Sequence, residues 1–162
     1  MKLHLKLALA AAMFALPLSA LTGAATAQGV DPAVMAPINM LNEGFNTNQP
    51  AKLAGSQVAS PIILDEFAPY QWSGPAALMG WGSDFGKFAV SHGVMSGKVE
   101  FADPTVAEVD GDHAYVVSPS IITFKTKDGQ IKNAGTFTFA LVKQADGWKI
   151  ASWAYARGAA LP

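Results

Sequence analysis

The chain has 162 residues, of which 51% are hydrophobic and 14% charged, with a formal net charge of −1 and no cysteine. One domain is the default at this length, and 10% aromatic residues argue against general disorder. The near-neutral balance argues against an electrostatic nucleic-acid binder, which needs a clustered basic surface. The lack of cysteine excludes disulfides, thiol catalysis and cysteine-ligated metals.

Met1 to Ala27 reads as a secretory signal peptide. Lys2 and Lys6 make a basic start, Leu7 to Leu16 is an apolar run ended by Pro17, and Ala25-Thr26-Ala27 fits the small-x-small cleavage rule. A retained membrane anchor is the alternative, but the apolar run is short for a span. Removing 27 of the 162 residues takes two basic side chains and no acidic ones, leaving Gln28 to Pro162 as a single domain of net charge −3. A domain of that size buries a core without disulfides. The expected location is the bacterial periplasm or the outside of the cell, with no membrane contact after cleavage.

Asp31-Pro32 starts a helix, with an N-cap acceptor followed by proline at the first helical position. Val34, Ile38, Leu41 and Phe45 continue it as one apolar face, and Asn46 to Pro50 is turn material. A short helix is expected over Ala51 to Ala54, a strand over Pro61 to Phe67, and a third helix after Ser73-Gly74-Pro75. Leu78, Trp81, Phe85 and Phe88 form its stripe. Gly80, Gly82 and Gly86 weaken it by ~1 kcal/mol each relative to alanine, and Ser91-His92-Gly93 ends it. From there the period is two. Val94 to Asp103, Thr105 to Val109, His113 to Lys127, Ile131 to Lys143 and Trp148 to Arg157 read as strands. Asp110-Gly111, Asp128-Gly129 and Asp146-Gly147 mark the turns between the later ones. Long strands joined by tight turns predict a curved antiparallel meander. Helices first and strands later make the class α+β. Gln28 to Val30 and the tail after Gly158 are expected to be loose.

Three local patterns carry a resemblance. They are the N-terminal helix ending in Asn-Glu-Gly-Phe-Asn-Thr-Asn, the segment Ile63 to Tyr70 followed by Trp72-Ser73-Gly74-Pro75-Ala76-Ala77, and Thr136 to Lys143 returning through Asp146-Gly147-Trp148-Lys149-Ile150. In this order they resemble the nuclear transport factor 2-like superfamily, and within it the SnoaL-like group, over about Asp31 to Gly158. The resemblance implies a cone-shaped fold, with N-terminal helices packed in a strongly curved antiparallel sheet around an apolar pocket. Isomerases, dehydratases, cyclases, epoxide hydrolases and many non-catalytic proteins share it, so it implies a small-molecule pocket and no single activity. It also implies a homodimer paired through the outer sheet face. In Thr136 to Val142, Ala140 and Val142 alternate with Phe137, Phe139 and Leu141, so neither face is strongly polar. No cofactor is implied.

Asp65 is the leading candidate for chemistry. It lies nine residues before Gly74, an offset resembling the general-base aspartate of ketosteroid isomerases. A carboxylate at a dry pocket mouth has a raised pKa and is able to move protons. The alternative is a solvent-facing or turn-capping carboxylate. Strand alternation predicts that one of Asp65 and Glu66 points inward and the other outward. The oxyanion donors of the isomerases have no match, since the corresponding positions hold Met40 and Leu41 on the helix and Thr136 to Ala140 on the strand. His113 flanks a turn, and His92 suits a helix C-terminus. With two histidines after cleavage, no three-histidine metal site exists. Trp72, Trp81, Tyr115, Phe137, Phe139, Trp153 and Tyr155 are the expected pocket residues, against the alternative that they are core. Three functions stay open: an exported domain binding a small apolar ligand; a cofactor-independent isomerase, dehydratase or cyclase using Asp65; and a protein-interaction domain with an exposed outer sheet.

Overall fold

Residues 30–161 are described by the computed structural model, so the expected signal peptide, Met1 to Ala27, lies outside the described residues. Helix α1 (Pro32–Thr47) starts as its sequence dictates: the Asp31 side chain accepts from the Ala33 N–H at 2.8 Å, and proline follows it. Val34, Ile38 and Leu41 are fully buried, and Asn48 ends the helix in the left-handed conformation at φ 51. Helix α2 (Pro50–Gly55) packs back on α1 with Leu53 against Gly44.

Strand β1 (Gln57–Leu64) begins and ends earlier than Pro61 to Phe67. Its end is set by pairing with a short strand that the sequence did not suggest, β2 (Gln71–Ser73), where Leu64 faces Gln71. Asp65 to Tyr70 therefore form the connecting loop, closed by the Asp65 N–H donating to the Tyr70 carbonyl at 3.2 Å. Helix α3 (Ala77–Ser91) ends at the expected place, with Gly93 at φ 66. It is shallowly seated, with Ala77 and Trp81 its buried residues. Trp72 fastens it to β2 by donating from Nε1 to Asp84 Oδ2 at 3.0 Å.

Strands β3 (Val94–Phe101), β4 (Val106–Asp110), β5 (His113–Thr126), β6 (Gly129–Gln144) and β7 (Gly147–Leu161) follow the expected order. The sheet order is β2-β1-β7-β6-β5-β3, with β4 also paired to β5. All pairs are antiparallel except β1 with β7, which run parallel, so the sheet is mixed. The tail after Gly158 is not loose: β7 runs on, with Ala160 opposite Asn133 and Leu161 opposite Lys132. Register shifts interrupt β3–β5, β1–β7 and β6–β7. Such bulges bend strands and increase their twist, and the sheet curls around the helices into the α+β cone. Phe137, Phe139, Leu141, Ile150 and Trp153 line its concave face and are buried. Tyr115 and Ile121 on the convex face are exposed.

Candidate functional site

A cavity of about 160 Å³ lies inside the cone. The end of α1 contributes Phe45 and Asn46, the β1–β2 loop Asp65, Glu66 and Phe67, and α3 its stripe of Trp81, Phe85 and Phe88. Opposite them stand Val99, Ile122, Phe124, Phe137, Trp153 and Tyr155 from the sheet. Trp81 is the hub of the aromatic wall. Its ring centroid lies 5.4 Å from Phe45, Phe85 and Trp153, stacked on Phe85 and edge-on to Trp153. Asn46 holds α1 against β3, donating to the Val99 carbonyl at 2.7 Å and accepting from its N–H at 2.8 Å. An apolar cavity of about 150 Å³ is large enough for benzene, so this one suits a single ring or a molecule of similar bulk.

Two neighbouring carboxylates face this space. Strand alternation would have sent only one of them inward, but β1 has ended at Leu64 and alternation does not extend into the loop. Asp65 accepts twice: Oδ1 from the Glu66 N–H at 2.7 Å, and Oδ2 from Trp81 Nε1 at 2.8 Å. Burial pushes its pKa above the ordinary value, and these two hydrogen bonds oppose the shift. Among the described residues Asp65 belongs to no ion pair. Glu66 Oε2 meets Arg157 Nε at 2.9 Å. Burial also raises the Glu66 pKa; Arg157 draws it back and the Asp65 charge pushes it up.

Tyr155 completes the polar part of the wall. Burial first, then the charges of Glu66 and Asp65, push its hydroxyl up to about 12 against a weaker pull from Arg157. The hydroxyl therefore stays a donor across the working pH range. Its ring lies across Gly135 on the neighbouring strand, where an added Cβ would overlap the ring and stand 2.7 Å from the hydroxyl oxygen. Only glycine leaves room there for Tyr155 as it sits.

Of the residues singled out in the sequence, Asp65, Trp81, Phe137, Trp153 and Tyr155 line the cavity together. Trp72, Tyr115 and Phe139 do not. Trp72 is buried between β2 and α3 through its bond to Asp84, Phe139 is fully buried in the core, and Tyr115 is exposed on the convex face. Glu66, named only as Asp65's alternative, lines it too, as do Phe45, Phe67, Phe85, Phe88 and Phe124. Phe85 and Phe88 were visible as a helical stripe, but a stripe does not distinguish cavity from core. Arg157, the partner of Glu66, carried no sequence signal. At the isomerase donor positions Leu41 is in the core and Met40 is partly exposed, and neither lines the cavity. A hydroxyl donor comes instead from Tyr155 on β7. His92 holds the end of α3, with Nδ1 2.9 Å from the Phe88 carbonyl, and His113 is exposed at the turn.

No protein-family model and no curated protein matches the chain. Solved structures do. A protein of unknown function from Mycobacterium tuberculosis is 25% identical, with TM-score 0.63 over 78% of this chain and 75% of its own. A hexachlorocyclohexane dehydrochlorinase, LinA-type3 from Novosphingobium barchaimii LL02, is 15% identical, with TM-score 0.66 over 81% and 88%. The CaMKII hub of S. rosetta is 20% identical, with TM-score 0.62 over 80% and 98%. These likenesses show the fold.

Proposed function

We propose that this chain, which has the nuclear transport factor 2-like, SnoaL-like fold, holds a small, largely apolar molecule in its cone. The carrying observation is a cavity of about 160 Å³ walled by aromatic rings with polar groups converging at one side, the usual make-up of a small-molecule site. Trp81 and Trp153 on the wall provide the assay. Single-ring compounds should change the tryptophan fluorescence in a saturable way, and Val99→Phe, which fills the cavity, should abolish the response. If no compound of that size binds, or if Val99→Phe binds equally well, the reading fails.

A second reading makes the same pocket an acid–base lyase, isomerase or cyclase. Its support is that the desolvated Asp65 carboxylate and the protonated Tyr155 hydroxyl line the same cavity. Asp65 would take a proton from carbon while Tyr155 donates a hydrogen bond to the oxygen that gains charge. In deuterium oxide, such a site exchanges carbon-bound protium of a bound carbon acid, and Asp65→Asn stops the exchange. Binding without exchange would leave the first reading alone.

The protein is proposed to be exported and cleaved after Ala27. N-terminal sequencing of the secreted form should begin at Gln28. A homodimer through the convex sheet face is proposed as well, supported by the exposed side chains of Ile62, Leu64, Tyr115 and Ile121. Sedimentation at micromolar concentration should give the dimer, and Tyr115→Lys should give the monomer.

A further inference from the structure

We infer that the ligand of the cavity is an organic cation, an amine or quaternary ammonium on a body of about one aromatic ring, seated with its charge against Asp65. The inference rests on the binding reading above and names the ligand class.

The charges of the wall decide it. Asp65, Glu66 and Lys98 line the cavity. Lys98 already meets Glu100 at 2.8 Å, and Glu66 already meets Arg157 at 2.9 Å. The charge left over is that of Asp65, without a cation among the described residues and set in an apolar wall. Buried charges are normally paired. Both Asp65 oxygens also accept N–H donors, from Glu66 and Trp81, and such hydrogen bonds favour the charged carboxylate. A cationic molecule entering the cavity would complete the pair that no described residue supplies.

The remainder of the wall suits the same guest. Trp81, Phe85, Phe88, Phe137, Trp153 and Tyr155 surround the space, and aromatic side chains attract cations through their π faces, tryptophan most strongly. A neutral apolar molecule would fill the volume but leave Asp65 unpaired. An anionic one would face the unpaired Asp65 carboxylate.

Benzylammonium and benzyl alcohol differ little in shape and differ in charge. Calorimetric titration of the full mature chain at neutral pH should show benzylammonium binding at least about tenfold more tightly. Phenyltrimethylammonium, which has no proton to give, should also compete with it. Asp65→Asn should lose most of the preference for benzylammonium over benzyl alcohol, to within about twofold. Equal or tighter binding of benzyl alcohol to the parent chain overturns the inference while the pocket stands. Binding of neither compound overturns the pocket reading with it. The comparison on the parent chain needs no variant, so a misfolded Asp65→Asn does not obscure the result.

Discussion

Replacing Gly82 and Gly86 by alanine should stabilise this protein, whereas the same change at Gly80 should not. All three lie within α3, where glycine is worse than alanine by about 0.8–1 kcal/mol. An added Cβ at Gly82 or Gly86 meets nothing within 4 Å. The gain is therefore not offset by a clash, and part of it comes from a less free unfolded chain. The double variant should gain about 1–2 kcal/mol, which in a domain of this size raises the melting temperature by roughly 3–8 °C. At Gly80 the Cβ would stand 3.0 Å from Trp72 Cδ1, and Trp72 is held by its bond to Asp84, so the ring has little room to move. Overpacking of this kind costs about 1–3 kcal/mol, which cancels or exceeds the propensity gain. Thermal and urea denaturation of the three single variants and the double variant measure this directly. Loss of stability in Gly82→Ala or Gly86→Ala, or a gain in Gly80→Ala equal to theirs, would refute both the placement of α3 and the packing argument.

Three further outcomes follow from the site. Because the folded chain raises the Asp65 pKa above 3.8, its carboxyl favours the fold while protonated, and that contribution is lost as pH rises through the folded value. The stability of the parent relative to Asp65→Asn should therefore fall as pH rises from about 4 through the mildly acidic range, and a flat difference would contradict the burial of Asp65. Tyr155, left as the sole tyrosine by Tyr70→Phe and Tyr115→Phe, should give a tyrosinate absorbance titration near 12 instead of 10.0, and stability should decline across that interval. Gly135→Ala should cost about 1–3 kcal/mol by overpacking, and Tyr155→Leu in the same chain should recover most of it; additive losses in a double-mutant cycle would show that the two do not touch.

Helix α1 was legible because Asp31-Pro32 and the 4-3-4 spacing of Val34, Ile38, Leu41 and Phe45 are local signals, and the later hairpins because Asp-Gly marks their turns. The end of β1 was not legible, because no glycine follows Leu64 and the stop is imposed by β2, too short to announce itself. The parallel β1–β7 pair joins distant segments and leaves no trace in either one. The end of β7, Gly158 to Leu161, has no alternating pattern and is a strand only because β6 extends to meet it. In the site, Trp81, Phe137, Trp153 and Tyr155 were found by periodicity. The same periodicity also nominated Trp72, Tyr115 and Phe139, since it says which side chains share a face and not where the face encloses empty space. The inward turn of both Asp65 and Glu66 depends on the strand ending between Leu64 and Asp65, a tertiary outcome.

The vacancy at Gly135 has a consequence for descent. Tyr155 occupies the space that any larger residue at Gly135 would need, so the two positions, adjacent in space and separate in sequence, are not free to drift independently. A descendant that gains a side chain at 135 must lose or turn the ring at 155, and with it the hydroxyl beside Asp65 and Glu66. A single exchange at this pair would thus refashion the size and the polarity of the chamber together. Relatives of this chain should divide into two kinds, those with glycine and an aromatic ring at the pair and those with bulk opposite a small residue. Each kind should accept its own set of guests.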